Sequence, residues 1–175
     1  MDFLWKRIVN GLFFISFIFY GLFLLWTILF KYVAPLNVFS SSREIFFRGV
    51  NFIPFNDILN GNYNKFDIIG NVILFIPFGI YIPMLFRISS IYKNIVIFAL
   101  ISLFFEVSQY VFYLGASDVT DIITNTIGGI LGLGIYLILK KIFKDEGRIK
   151  FFVAICSILV MIFVGFYLIM IILNN

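Results

Sequence analysis

The sequence predicts an all-α fold: a polytopic transmembrane helix bundle of about five spans, with the N-terminus in the cytoplasm. Three observations carry that expectation. The first is composition: of 175 residues, 62% are hydrophobic and only 13% charged, against about 45–50% and about 25% in a soluble domain. Mean hydropathy is +1.09. A soluble domain near this size buries only about 70% of its surface, so it cannot hide so much apolar side chain. A disordered chain would be charge-rich and apolar-poor instead. The second observation is a series of five apolar runs long enough to span. The third is an uneven distribution of Lys and Arg.

The first run covers residues 8–30 and follows Lys6 and Arg7. A span needs about 20 apolar residues. This run is too long for a signal-peptide core, and Tyr32-Val33-Ala34-Pro35 is a poor cleavage site, so it reads as an uncleaved signal anchor. Residues 31–66 are mixed. Charged Arg43, Glu44, Arg48, Asp57 and Lys65 alternate there with apolar Phe46-Phe47 and Phe52-Ile53-Pro54-Phe55, a pattern suited to the membrane interface.

The second span is 68–86, with Asn71, Pro77 and Pro83 inside it and Arg87 just beyond. Proline removes a backbone donor, which a membrane helix tolerates when neighbours satisfy the freed carbonyl. The third span is 94–114 and holds Glu106 and Gln109. After a short loop at 115–120 the fourth span runs over 121–139 and ends on Lys140 and Lys141. The fifth, 151–173, is almost featureless. No internal repeat is evident, so residues 1–175 read as a single domain.

Orientation follows from the basic residues. The N-terminus and the loops after the second and fourth spans hold nine Lys and Arg, and the opposite side holds four. The positive-inside rule places the N-terminus in the cytoplasm. Basic residues used in this way do not signal nucleic acid, despite a net charge of +4.

The chemistry is bounded as sharply. The chain has no histidine and one cysteine, Cys156. That excludes an intrachain disulfide, a Ser-His-Asp or Cys-His catalytic set within one chain, and the commonest zinc ligand. Carboxylates, amides, hydroxyls, Tyr, Lys and Arg remain.

With this topology the polar groups gather in the outer half. Asp67 and Asn71 lie one turn apart at the start of the second span. Glu106 and Gln109 are three apart and share a helix face. Asp121 and Asn125 are four apart, with Asp118 just before them, and the first outer loop adds Arg43, Arg48, Asn51 and Asn56. At 1.5 Å per residue, Glu106 lies about 12 Å inside the outer end of its span. An ionisable residue at membrane depth is expensive and marks a functional site by default. Bland roles compete with that reading. Asp67 and Asp121 suit helix N-termini, Asn71 and Asn125 suit interhelical hydrogen bonds, and Glu106 suits a structural lock. Gly128, Gly129, Gly132 and Gly134 suit a packing groove.

Four elements in series carry a resemblance. Arg48-Gly49-Val50-Asn51-Phe52-Ile53-Pro54-Phe55 resembles the Arg-x-x-Asn-Leu-Ile-Pro-Phe element of VanZ-like membrane proteins. Asn71-Val72-Ile73-Leu74-Phe75-Ile76-Pro77-Phe78-Gly79 is similar to their Asn-x-x-x-Phe-x-Pro-Phe-Gly signature, and Glu106-Val107-Ser108-Gln109 to their Glu-x-x-Gln. Asp118-x-x-Asp121-x-x-x-Asn125-x-x-Gly128 resembles their Asp-x-x-Asp-x-x-x-Asn-x-x-Gly. The match runs from about residue 48 to 139. It departs before Asp118, where Leu114-Gly115-Ala116-Ser117 lacks the arginine often found in that loop, leaving Arg43 or Arg48 to supply a cation. The resemblance implies a bacterial cytoplasmic-membrane protein of the cell envelope. The named member of that family is associated with low-level resistance to glycopeptide antibiotics such as teicoplanin.

Two functions are open at this point. The first is a non-enzymatic envelope protein with an outer-leaflet polar pocket. Arg48, Asn51, Asp67, Asn71, Glu106, Gln109, Asp118, Asp121 and Asn125 would bind a lipid head group, a lipid-linked wall precursor or a lipoglycopeptide. The alternative is an intramembrane enzyme on a lipid-linked substrate. There Glu106 would be the catalytic base, and Asp118 and Asp121 would act as acid–base groups or hold a hard divalent cation. The cofactor is unknown from the sequence. A proton-coupled carrier ranks third, because inverted repeats would be expected and none is seen.

Overall fold

The structure is a computed structural model, and it describes residues 2–31, 49–61 and 65–174. It is helical: α1 (Asp2–Leu29), a short α2 (Asn56–Leu59), α3 (Lys65–Phe86), α4 (Ile91–Val111), α5 (Val119–Phe143) and α6 (Glu146–Asn174). Two residues each form β1 (Val50–Asn51) and β2 (Ser117–Asp118), paired in parallel. Four helical segments are long and apolar enough to cross a membrane: Phe3–Leu29, Asp67–Phe86, Ile91–Val111 and Val119–Phe143. They correspond to the first four expected spans. The fifth expected span lies within α6, 29 residues long.

Several boundaries move. The helix of the third expected span, α4, ends at Val111 rather than 114, where Tyr113 turns left-handed at φ 56°. Leu114 N–H donates to Gln109 O at 2.9 Å and Tyr113 N–H to Tyr110 O at 3.4 Å. That pair of bonds is the Schellman closure of a helix, with a tyrosine in the position glycine usually takes. Between α5 and α6 the expected polar loop shrinks to Lys144 and Asp145. Lys144 is left-handed at φ 52°, and Asp145 Oδ2 caps α6 by accepting from Arg148 N–H at 3.0 Å.

The chain resolves into two compact units, residues 1–23 with 137–175, and residues 24–136. In the first, α1 and α6 meet through Trp5 and Phe151, whose ring centroids are 5.1 Å apart. Val9, Phe13, Ile149, Val153 and Ala154 are buried. Lys150 Nζ donates to Asn10 Oδ1 at 2.9 Å and sits 5.7 Å from the Phe13 ring centroid, so its ammonium is satisfied by an amide and a π-face.

In the second unit α3 and α4 share a core of aromatic edges, and Gly129 of α5 lies against Phe98. Phe75 packs against Phe78 at 5.4 Å and Phe105 at 6.2 Å, and Phe78 against Phe98 at 5.9 Å, all edge-on. Glycine lets backbones touch. A Cβ on Gly128 would strike the Val72 carbonyl, and one on Gly132 the Ile76 carbonyl. A Cβ on Gly79 would strike the Gly129 carbonyl. The expected packing groove is therefore built from Gly128, Gly129 and Gly132. Gly134 has no part in it, since a Cβ there would meet nothing within 4 Å; two residues past Gly132, its Cα faces another direction.

Large apolar side chains such as Phe104, Val107, Ile127 and Leu131 are exposed along α4 and α5. In water these would drive association. In a bilayer they meet acyl chains.

Candidate functional site

The polar centre of the second unit is built around the β1–β2 pair. Val50 pairs with Ser117 and Asn51 with Asp118, and Ser117 N–H donates to Gly49 O at 3.0 Å. Two distant loops are thus held side by side, which gives their backbone groups partners inside a membrane protein. Glu106 on α4 fastens the pair. Its Oε2 accepts from Asp118 N–H at 2.8 Å, and its backbone carbonyl accepts from Ser117 Oγ at 2.9 Å. Asp118 Oδ1 in turn accepts from Thr120 N–H at 2.7 Å, the geometry of an N-cap on α5. Asp118 Oδ2 accepts from Asn51 Nδ2 at 3.2 Å. Asn51 Oδ1 takes Ile53 N–H at 3.1 Å, and Phe55 N–H donates to Thr120 Oγ1 at 2.9 Å. Phe55 sits at φ 58°, and Asn56 N–H closes the turn on Ile53 O at 3.2 Å, with Pro54 pre-setting its first corner.

A second cluster is ionic. Lys31, just past α1, places Nζ 3.3 Å from Asp121 Oδ2 and 3.7 Å from Asp67 Oδ1. The Lys31 and Asp121 side chains are each 17% exposed and Asp67 is 42% exposed. The shorter, better-shielded pair with Asp121 is the stronger one. Lys31 supplies a cation beside the fourth span, where the sequence expectation looked to Arg43 or Arg48.

The amides go elsewhere. Asn71 Nδ2 reaches Thr124 Oγ1 at 3.5 Å, across α3 and α5. Asn125 Nδ2 donates to Ser102 Oγ at 2.9 Å, across α5 and α4. Gln109 Nε2 donates to Ile28 O at 2.9 Å, a better bond than the one that this carbonyl, in the last turn of α1, takes from Lys31 N–H at 3.4 Å. All three amides are buried. Gln109 Oε1 and Asn125 Oδ1 have no hydrogen-bond partner among the described residues.

Glu106 also opens onto a recess of about 240 Å³. Its described walls are Val50, Phe52, Leu103, Val107, Tyr110, Val119 and Ile122, with Glu106, Ser117 and Asp118 at the polar end. Glu106 is 2% exposed, whereas Phe52, Leu103 and Val107 on the rim are well exposed. The recess is therefore an apolar slot with a carboxylate at its base. Because α4 stops at Val111, Glu106 lies about 8 Å from the helix end, not about 12 Å, at 1.5 Å per residue.

Of the nine residues expected to form one pocket, Glu106 and Asp118 line the recess, with Asn51 bonded to Asp118 just behind. Asp67 and Asp121 meet at Lys31. Asn71, Gln109 and Asn125 each bridge a different pair of elements. Arg48 lies outside the described residues. Sequence reasoning passed over Lys31, Ser102, Ser117, Thr120 and Thr124. Lys31 had a readable signal, the first charge after an apolar run and on the same side as Asp67 and Asp121. The hydroxyls had none, since Ser and Thr are unremarkable in membrane helices. Among the described residues, no three carboxylates come together as ligands for one metal ion.

Comparison with known proteins agrees with this framework. A profile of the family described as VanZ/LLP1 matches residues 17–140, a stretch containing the β1–β2 pair, Glu106, Lys31 and the glycine contacts. Protein VanZ from Enterococcus faecium is 35% identical over 142 residues, covering 79% of this chain and 83% of its own length. No solved structure matches. The motif residues that suggested the resemblance hold the loop pair, the cap of α5 and the α3–α5 contact in place, and the match extends across most of the chain on either side of them. This membrane protein belongs to the VanZ/LLP1 family.

Proposed function

We propose that this chain is a multi-pass protein of the bacterial cytoplasmic membrane, with its N-terminus inside, that contributes to resistance against teicoplanin-type glycopeptides by holding part of an amphiphile in the Glu106 recess. The observation that carries the reading is the recess itself: a buried carboxylate at the base of a slot whose rim is exposed and apolar. Its volume of about 240 Å³ is below the roughly 300 Å³ at which pockets for whole drug-sized ligands begin. It suits a head group and the first part of a chain, such as belong to a membrane lipid, a lipid-linked wall precursor or the acyl-bearing end of a lipoglycopeptide. Asp118 has both oxygens engaged by Asn51 and Thr120, and Asp121 is held by Lys31. Those bonds supply structure, and they favour binding over an acid–base or metal role for the two aspartates.

The test fills the slot. Val107→Trp and Leu103→Trp place indoles in the recess from lipid-facing positions, and Glu106→Ala removes its polar end. Each variant is expressed in a susceptible strain, and its membrane level is measured beside its teicoplanin susceptibility. Loss of protection with normal membrane levels is expected. Full protection from both tryptophan variants would remove the recess from the function.

A further inference from the structure

We infer that the recess selects amphiphiles whose head group carries a protonated primary amine. The inference rests on the recess reading above and deepens it. The argument is an inventory of hydrogen-bonding capacity at the polar end. Four nearby donors are spent on protein acceptors. Asp118 N–H goes to Glu106 Oε2, Ser117 Oγ to Glu106 O, Asn51 Nδ2 to Asp118 Oδ2 and Thr120 N–H to Asp118 Oδ1. Both oxygens of Asp118 are therefore occupied. One oxygen of Glu106 is occupied, and the other, Oε1, accepts no hydrogen bond among the described residues.

Glu106 is 2% exposed and lines the slot, so this oxygen has access to the recess and little to bulk solvent. No Lys or Arg is among the described lining residues; the nearby cation, Lys31, is committed to Asp121 and Asp67. An anionic phosphate seated there would face oxygen acceptors where it needs donors. An ammonium brings ionised N–H donors to the free carboxyl oxygen, giving the stronger, charge-assisted bond. A quaternary ammonium has the charge but no N–H to offer. The remaining walls, Leu103, Val107, Val119 and Ile122, are apolar and take the methylenes that follow the head group.

The chemistry can come from an aminophospholipid or from a single-chain amine without phosphate, and the experiment separates these sources. The purified full-length protein is equilibrated with vesicles of equal parts phosphatidylethanolamine, phosphatidylcholine and phosphatidylglycerol, and the lipid it retains is counted by mass spectrometry. Dodecylamine and dodecyltrimethylammonium then compete for the retained lipid. The expected result is about tenfold enrichment of phosphatidylethanolamine over phosphatidylcholine, equivalent to about 1.4 kcal/mol, with displacement by dodecylamine alone. If dodecylamine is retained and phosphatidylethanolamine is not, the amine assignment holds and the source is a phosphate-free amphiphile. Glu106→Gln narrows the ethanolamine-over-choline preference to about twofold. Val107→Trp lowers retention of every lipid.

Equal retention of the ethanolamine and choline lipids, with no preference for dodecylamine, overturns the head-group assignment alone. Preference for phosphatidylglycerol does the same. An unchanged preference in Glu106→Gln also overturns it, and that variant is a near-isostere that keeps the Asp118 hydrogen bond. If the wild-type protein retains no amphiphile that Val107→Trp loses, the recess reading itself falls.

Discussion

Gly132→Ala probes a close backbone approach between α5 and α3. A Cβ built there strikes the Ile76 carbonyl oxygen and stands 2.9 Å from Gly79 Cα, where two carbons at rest prefer about 3.5–4.0 Å. The obstacles are backbone atoms of α3, so no side-chain rotation relieves them, and α3 must retreat by about 1 Å on the carbon contact alone. Overpacking of this kind costs about 1–3 kcal/mol. Gly134 supplies the internal control, because a Cβ there meets nothing within 4 Å. Gly134→Ala keeps the same chemistry without the clash and should stabilise the helix by about 0.5–1 kcal/mol. The two alanines, two residues apart on one helix, should move stability in opposite directions. At about 2–4 °C per kcal/mol for a chain of this length, thermal unfolding in detergent should fall by roughly 2–12 °C for Gly132→Ala and rise by roughly 1–4 °C for Gly134→Ala. A neutral Gly132→Ala, or two shifts of the same sign, would refute backbone contact between α3 and α5.

Other expectations follow from single contacts. Lys31→Met leaves the Asp121 carboxylate without its cation and should destabilise by roughly 1–3 kcal/mol, below the cost of breaking a fully buried pair because each side chain is 17% exposed. Adding Asp121→Asn should recover part of that loss in a double-mutant cycle, and strict additivity would show that the pair is not coupled. Asp118→Ala removes the cap on Thr120 N–H and the tie to Asn51, at about 1–2 kcal/mol, and should speed amide exchange at residues 117–121. Asp145→Ala removes the corresponding cap on α6 at about 1 kcal/mol. Its faster exchange should be confined to residues 146–149, because the bond it breaks is local.

Much of the fold was legible because the membrane imposes a simple rule. A helix is the local answer to unsatisfied backbone groups in hydrocarbon, and about 20 apolar residues announce it. The four segments that satisfy that rule fall where the apolar runs fall. Their ends were less legible. Tyr113 and Lys144 end helices in left-handed conformations without being glycine, so no residue type flagged the stop. The helical capacity of the basic stretch after the fourth span was hidden by its charge, although Lys and Arg are good helix formers and Lys140 and Lys141 suit the negative end of α5.

The site was legible in its parts and not in its grouping. Glu106 stood out by cost alone, a carboxylate in an apolar helix. That it fastens the chain at Asp118, twelve residues on, depends on a loop folding back so that two two-residue strands pair. Lys31 and Asp121 are 90 residues apart, and local pattern cannot show which of several cations meets a given carboxylate.

By itself the sequence determined that this is a membrane protein, where its helices run, and which few polar residues insertion leaves unexplained. Those are consequences of local hydropathy and of backbone groups that must bond within a segment. The tertiary structure alone decided how the polar residues divide into a recess, an ion pair and three interhelical locks, and which of four glycines touch a neighbour. Partner choice among buried polar groups depends on distances between helices, and those are settled by packing across the chain.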